Sequence, residues 1–147
     1  MIDVHIDDFY HDIAVTLLSL YQQFPRKVSV YIEDISGPDD VDEFGLHSSR
    51  HLSCMGAIMW LHDEEYIRYE ELVREEAIEA ATLTQKAFVK LIQPRDEILE
   101  ATLANTDLSA SAKKQQATLA YQLHTAVKNQ NSMRIQELIQ RYFMPQY

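Results

Sequence analysis

Histidine and aspartate side chains, which most often bind metal ions or transfer protons, cluster at two places in this sequence. At the first, near the N-terminus, His5 and His11 are interspersed with Asp7, Asp8 and Asp12. No metal-binding motif has this spacing. Carboxylates also favour the first turns of a helix, because they complement the helix dipole. We therefore interpret this group as the charged end of an exposed helix.

The second place is the pair His47 and His51, which are four residues apart, a spacing that can place two ligands on one helix face. His47 is expected to precede the helix, however, and the sequence offers no evident third ligand. We predict surface histidines here, with no metal ion and no cofactor.

Motifs for covalent catalysis are missing from the sequence. It has no GxSxG, CxxC or HExxH pattern, and its lone cysteine, Cys54, lies in an apolar helical segment and is predicted to be buried. The three glycines, Gly37, Gly45 and Gly56, are too widely spaced to form a phosphate-binding loop. The sequence therefore predicts a protein that is not an enzyme and has no catalytic residues.

Composition indicates a helix-rich globular protein. Of the 147 residues, 46% are hydrophobic, and only seven are glycine or proline. One unpaired cysteine fits a reducing compartment, and the acidic start differs from a basic signal peptide. The longest apolar run, residues 54–61, is too short to span a bilayer. We expect a soluble, cytoplasmic protein that does not bind membranes.

Charge is distributed unevenly along the chain. Residues 1–93 carry 18 acidic and 7 basic side chains, a net charge of −11, whereas residues 94–147 carry 5 and 6, a net charge of +1. Nucleic-acid-binding domains usually have a basic face, because phosphate contacts supply most of their non-specific affinity. The charge of the first segment therefore disfavours DNA binding.

Apolar periodicity predicts the elements of the first segment. An amphipathic helix is expected at about residues 7–24, a strand at 28–32, a turn at 36–39, and at most a short helix at 40–44 that ends at Gly45. Ser48 or Ser49 can cap a helix that runs to Asp63. Its predicted buried stripe comprises Leu52, Met55, Ile58 or Met59, and Leu61, with Cys54 and Trp60 at the margins.

Two extended segments, residues 66–69 and 77–81, enclose a charged reversal and predict a hairpin. Thr82 and Gln85 have the spacing of a capping box for a helix that ends near Pro94.

The remaining residues, 94–147, are predicted to form a helical extension. One helix is expected to end near Asn105. Thr106 or Asp107 would cap a longer one with Leu108 to Val127 on one face, and Asn131 or Ser132 would start a third. This extension can pack on the first segment or form a homodimer through residues 95–147.

The order helix, strand, helix, helix, hairpin, helix resembles the winged helix-turn-helix family over roughly residues 7–93. Two local patterns add to the resemblance: the helix end that runs into a strand, WLHDEEYIRYE, and the strand that runs into a helix, AATLTQKAFVKL. The expected fold is mainly α with a small β-hairpin or three-stranded sheet, that is, a winged helix-turn-helix followed by a C-terminal helical extension.

The resemblance implies binding to double-stranded DNA by a small bacterial or phage-type transcriptional regulator that acts as a dimer. The recognition helix would present Ser49, Arg50 and Ser53 to the major groove, and Arg26 and Lys27 would contact the phosphate backbone.

The predicted wing supports an alternative hypothesis. Wings that contact DNA usually present basic residues, whereas this one has Arg74 among five glutamates, Glu70, Glu71, Glu75, Glu76 and Glu79. The alternative is a protein–protein interaction module that does not bind DNA. It would contact a basic partner through Glu70, Glu71, Arg74, Glu75 and Glu76.

Overall fold

The structure, a computed structural model, describes residues 3–103 and 107–145, and within these ranges the chain is mainly helical with one small antiparallel sheet, as predicted. The elements are α1 (Val4–Gln23), β1 (Val28–Tyr31), α2 (Ile32–Ser36), α3 (Ser49–Asp63), β2 (Ile67–Arg68), β3 (Glu71–Val73), β4 (Ala77–Leu83), α4 (Gln85–Ile92), α5 (Asp96–Leu103), α6 (Ala110–Gln116), α7 (Leu119–Lys128), α8 (Ser132–Leu138) and a π-helical turn (Ile139–Phe143). No helix in the described ranges has both the length and the apolar character needed to cross a bilayer.

The sheet is built around β4. On one side β1 pairs antiparallel with it, and Tyr31 lies opposite Ala77. On the other side β3 and β2 pair with successive parts of β4, so that Glu71 lies opposite Glu79 and Ile67 lies opposite Leu83. β2 lies within the first predicted hairpin strand, residues 66–69, whereas β3 lies in the segment that was predicted to be the reversal. β4 is paired along both of its edges.

One continuous apolar core joins the two halves of the chain. α1 contributes its buried face, including Ile13 and Leu17, and it contacts α3, β4, α7 and α8. Leu123 of α7 and Phe143 after α8 belong to the same buried cluster. Residues from the C-terminal extension thus pack on the first segment within one chain.

The segment between β1 and α3 differs from the prediction. The sequence suggested a strand through Ile32 and a short helix at 40–44, but Ile32 begins α2 and residues 37–48 have no regular structure. The Asp42 carboxylate accepts hydrogen bonds from the amides of Phe44 (2.8 Å) and Leu46 (2.9 Å). Such local side-chain bonds compete with a helix for the backbone donors. Gly45 has the predicted positive φ, +76°.

α3 spans the predicted residues, and Ser48 caps it by accepting a hydrogen bond from the amide of His51. The predicted buried stripe is confirmed at Ile58 and Leu61 but is wrong at Leu52, and Cys54, expected at its margin, is fully buried. The buried residues are His51, Cys54, Ala57, Ile58 and Leu61, whereas Leu52 and Met59 are about 40% exposed. Periodicity predicts a helix but does not fix which residues form its buried face, because that face is set by packing against α1 and α2.

Two further helix starts lie at positions other than those predicted. α4 is capped by Thr84, whose hydroxyl accepts from the amide of Ala87, because β4 continues through Thr82 to Leu83. The predicted long helix from Leu108 is two helices, α6 capped by Ser109 and α7 capped by Thr118. Thr106 lies outside the described residues.

Of the two residues predicted to start the last helix, Asn131 and Ser132, Asn131 is the cap, since its side chain accepts from the amide of Arg134 at the start of α8.

Candidate functional site

The side chain expected to contact DNA bases, Arg50, is engaged within the protein. Its Nη1 and Nη2 donate to the two carboxylate oxygens of Asp12, at 2.7 and 2.6 Å. Its Nε lies 3.6 Å from the Asp8 carboxylate. Asp12 is fully buried, and the Arg50 side chain is 32% exposed. This two-point ion pair joins the first turn of α3 to α1.

Ionisation of both partners is favoured by this arrangement. Burial alone would raise the pKa of Asp12, but hydrogen bonds from Arg50 and His11 and the charge of Arg50 outweigh burial and lower it. The same bonds raise the pKa of Arg50. Asp12, which the sequence placed among exposed N-terminal charges, is therefore a buried structural carboxylate.

The other residues predicted to contact DNA lie apart from this pair. Ser49 and Ser53 are exposed on α3. Arg26 is exposed and donates a hydrogen bond to Gln23. Lys27 lies 3.5 Å from Glu70 of the hairpin, and both side chains are mostly exposed. All three cationic side chains that were predicted to contact DNA therefore have a partner within the chain, and two of these partners are acidic.

The hairpin carries a group of exposed charges. Its acidic residues, Glu70, Glu71, Glu75, Glu76 and Glu79, are all exposed, as is Arg74. Glu71 and Glu79 are directly opposite in the β3–β4 register. Like charges in that position repel across the ladder and destabilise it. We call these five glutamates and Arg74 the acidic hairpin.

The tip of the acidic hairpin is fixed to the rest of the protein and does not project freely. Arg74 and Glu75 adopt positive φ values of 53° and 59° in the turn. The Glu75 carbonyl accepts a hydrogen bond from Nε2 of His51 at 2.7 Å, and the Glu76 carbonyl accepts from the amide of Ile32 at 2.9 Å. The turn is thus held by the start of α3 and by α2.

His47 and His51 are not the surface histidines that the sequence suggested. The side chain of His51 is 1% exposed and that of His47 is 13% exposed. Their rings stack in parallel with centroids 3.8 Å apart. Asp39, whose side chain is 5% exposed, lies beside both rings and accepts a hydrogen bond from Nδ1 of His47 at 2.8 Å. The sequence did not reveal this third member, since Asp39 lies in an irregular segment eight residues before His47.

Ser48 adds to the electrostatics of this group. Hydrogen bonds from Ser48 are the largest influence on the Asp39 carboxyl and lower its pKa despite burial. The carboxylate form, which is the form that binds cations, is therefore favoured. Within the described residues this is the one group in which three potential metal ligands converge.

Cys54 is a buried thiol as predicted, with 0% exposure. Burial and the nearby charge of Asp12 raise its pKa to about 12. A thiol that stays protonated is a poor nucleophile, so Cys54 has the character of a core residue.

No protein-family model, curated protein or solved structure matches this chain.

Proposed function

We propose that residues 4–92 form a winged helix used as a protein-interaction module, and that the acidic hairpin binds a basic protein surface. The order α1, β1, α2, α3 and a hairpin supports the winged-helix assignment. So does the sheet order, in which the strand after the first helix pairs with the last hairpin strand. Fold alone does not determine function, so the functional proposal rests on the surface.

The observation that carries the proposal is the direct opposition of Glu71 and Glu79, surrounded by three more exposed glutamates. The isolated domain bears the cost of this repulsion. A lysine- or arginine-rich partner would relieve it while forming charge-assisted hydrogen bonds. The fixed turn at Glu75 presents the glutamates as one preformed surface, which lowers the entropy cost of binding.

DNA binding by a dimeric regulator is the second candidate, and the exposed Ser49 and Ser53 on α3 favour it. In this case Arg26 and Lys27 would exchange their present partners for phosphates. Arg50 could read a base only by giving up its two-point ion pair with the buried Asp12 carboxylate, which is costly. The geometry therefore favours the first candidate.

Fluorescence anisotropy tests the proposal with two labelled probes. One is a ten-residue arginine peptide and the other is a mixed-sequence 30-base-pair duplex. We expect the peptide to bind and the duplex not to bind, with peptide affinity falling as salt is raised. The variant E71Q/E79Q should weaken peptide binding by at least about tenfold.

The matched control is E100Q/E137Q, which removes the same charge from exposed positions on α5 and α8. Equal weakening by both double variants would show that only net charge matters, and the acidic hairpin would then not be the site. Duplex binding with a steep salt dependence would instead support the second candidate.

A further inference from the structure

The buried side chain of His51 has one ring nitrogen without a hydrogen-bond partner. Its Nε2 donates to the Glu75 carbonyl, a group that can only accept, so Nε2 carries a proton. In the neutral ring Nδ1 then has a lone pair. That lone pair is buried, makes no hydrogen bond, and lies 3.7 Å from the Asp39 carboxylate. Two electron-rich atoms therefore face each other in a nearly closed space.

A bound cation would accept electron pairs from both His51 Nδ1 and the Asp39 carboxylate. Zinc binds histidine nitrogen and carboxylate oxygen at about 2.0–2.2 Å, so two ligand atoms of a tetrahedral site are about 3.3 Å apart. The distances from Asp39 Oδ2 to Nδ1 of His47 and of His51 are 2.8 and 3.7 Å, which bracket that value. The potential ligand atoms of all three residues lie within 4.8 Å of one another.

We propose that Asp39, His47 and His51 bind one divalent transition-metal ion of the zinc type, with a water molecule as the fourth ligand. Two imidazoles and one carboxylate suit Zn²⁺, and also Co²⁺ or Ni²⁺, better than they suit Ca²⁺ or Mg²⁺, which prefer all-oxygen sites.

The surroundings of His51 match those of a metal-binding histidine. Such histidines usually donate their second ring nitrogen to a carbonyl or carboxylate, which fixes the tautomer and the ring orientation. Here the Glu75 carbonyl has that role, and Ser48 orients the Asp39 carboxylate through its backbone amide (3.3 Å).

Metal binding requires one movement, a rotation of the His47 ring. The two rings are parallel, within 6°, so one ion cannot lie in both ring planes. His51 is locked by Glu75, whereas His47 precedes the Ser48 cap and is the more exposed ring. The ion takes the place of the proton through which His47 Nδ1 now binds Asp39, and that proton moves through solvent to Nε2 of the same ring, so the ring stays neutral.

The ion would fasten the irregular segment 37–48 to the start of α3 and, through His51, to the turn of the acidic hairpin. This inference concerns a different set of side chains from the proposed partner surface. The result of a metal-binding test therefore does not depend on whether the partner-binding proposal is correct.

Titration of the full-length, metal-free protein with Zn²⁺ in an isothermal calorimeter tests the site. We expect one saturable ion per chain and a melting temperature that rises with zinc concentration. The variants D39N and H47Q should each weaken zinc binding by at least about tenfold. H62Q is the matched control, because His62 also lies beside a carboxylate, that of Asp63 (3.6 Å). His62 and Asp63 have no third ligand among the described residues, so H62Q should leave zinc binding unchanged.

Two results would overturn the proposal: no saturable binding to the folded wild-type protein, or equal affinity in D39N, H47Q and H62Q. Circular dichroism shows whether each variant is folded. Should the variants not fold, the visible absorption of Co²⁺ added to the wild-type protein decides the matter. An intense four-coordinate spectrum supports the site, and the weak spectrum of the hydrated ion contradicts it.

Discussion

At the scale of single residues, the two-point ion pair between Asp12 and Arg50 joins α1 to the first turn of α3. A pair of this kind contributes little compared with a well-packed apolar pair, but removal of one partner leaves an uncompensated buried charge. Asp12 is fully buried, so the arginine side is the one whose loss is costly.

We predict that R50A lowers the free energy of unfolding by about 3–5 kcal/mol. Urea denaturation followed by circular dichroism measures this change. R74A, which removes an exposed arginine from the hairpin turn, is the control and should change stability by less than about 0.5 kcal/mol. A loss for R50A no greater than that for R74A would contradict the structural role of the pair.

The same pair predicts an acid-dependent loss of stability. The folded-state pKa of Asp12 lies below its ordinary value of 3.8, so its stabilising contribution is complete above that pH. The contribution is lost as pH falls through the lower, folded-state pKa. The unfolding free energy of the wild-type protein should therefore decrease more steeply below pH 3.8 than that of D12N, as measured by urea denaturation at several pH values. Parallel pH profiles for the two proteins would argue against this assignment.

At the scale of elements, helix caps and strand ends decide where this sequence changes structure. Thr82 was the predicted cap of α4 and Thr84 is the observed one, and their hydroxyl groups have opposite environments. The Thr84 hydroxyl caps the helix and donates toward the Glu65 carbonyl at 2.7 Å, whereas the Thr82 hydroxyl is buried with no hydrogen-bond partner.

We therefore expect valine substitutions at these two positions to have opposite signs. T84V should destabilise the protein by about 1–2 kcal/mol, because the cap is lost. T82V should stabilise it by about 1 kcal/mol, because an unsatisfied buried hydroxyl is replaced by a methyl group of similar size. Thermal denaturation of both variants provides the comparison. A stabilising T84V or a strongly destabilising T82V would contradict this assignment and support Thr82, the residue predicted from sequence, as the cap of α4.

These elements also show what the sequence could and could not predict. The extent of α3 and the left-handed Gly45 follow from local residue preferences and were predicted, as was the cap of α3, narrowed to Ser48 or Ser49. The rotation of α3 and the cap at Thr84 depend on packing against distant segments, which no local pattern encodes. The exposed hairpin glutamates were predicted from the charged run between the two extended segments. The partners of Arg50 and His51 were not predicted, because Asp12 and Glu75 are 38 and 24 residues away.

At the scale of the whole molecule, the C-terminal helices complete the core that α1 begins. Residues on α7, on α8 and in the π-helical turn that follows α8 are buried in one cluster with Ile13 and Leu17 of α1. Dimerisation through residues 95–147 remains a prediction. It would have to use side chains left exposed on these helices, such as Tyr121 and Met133.

Truncation after residue 93 should therefore expose the apolar face of α1 and prevent cooperative folding. The expected result is a broad thermal transition and binding of a hydrophobic dye, in contrast to the full-length chain. A truncated protein with a sharp transition at a similar temperature would show instead that residues 94–147 are an independent appendage.

The reciprocal bond between Asp12 and Arg50 also constrains how this protein can change over generations. A lineage that substitutes either position alone passes through a form in which the other residue lacks its ion-pair partner. The loss of stability is far larger when the arginine is lost, because the buried Asp12 charge then remains. Neutral drift at these two codons is therefore coupled. Exchange for an apolar pair is open only to a lineage in which the aspartate changes first.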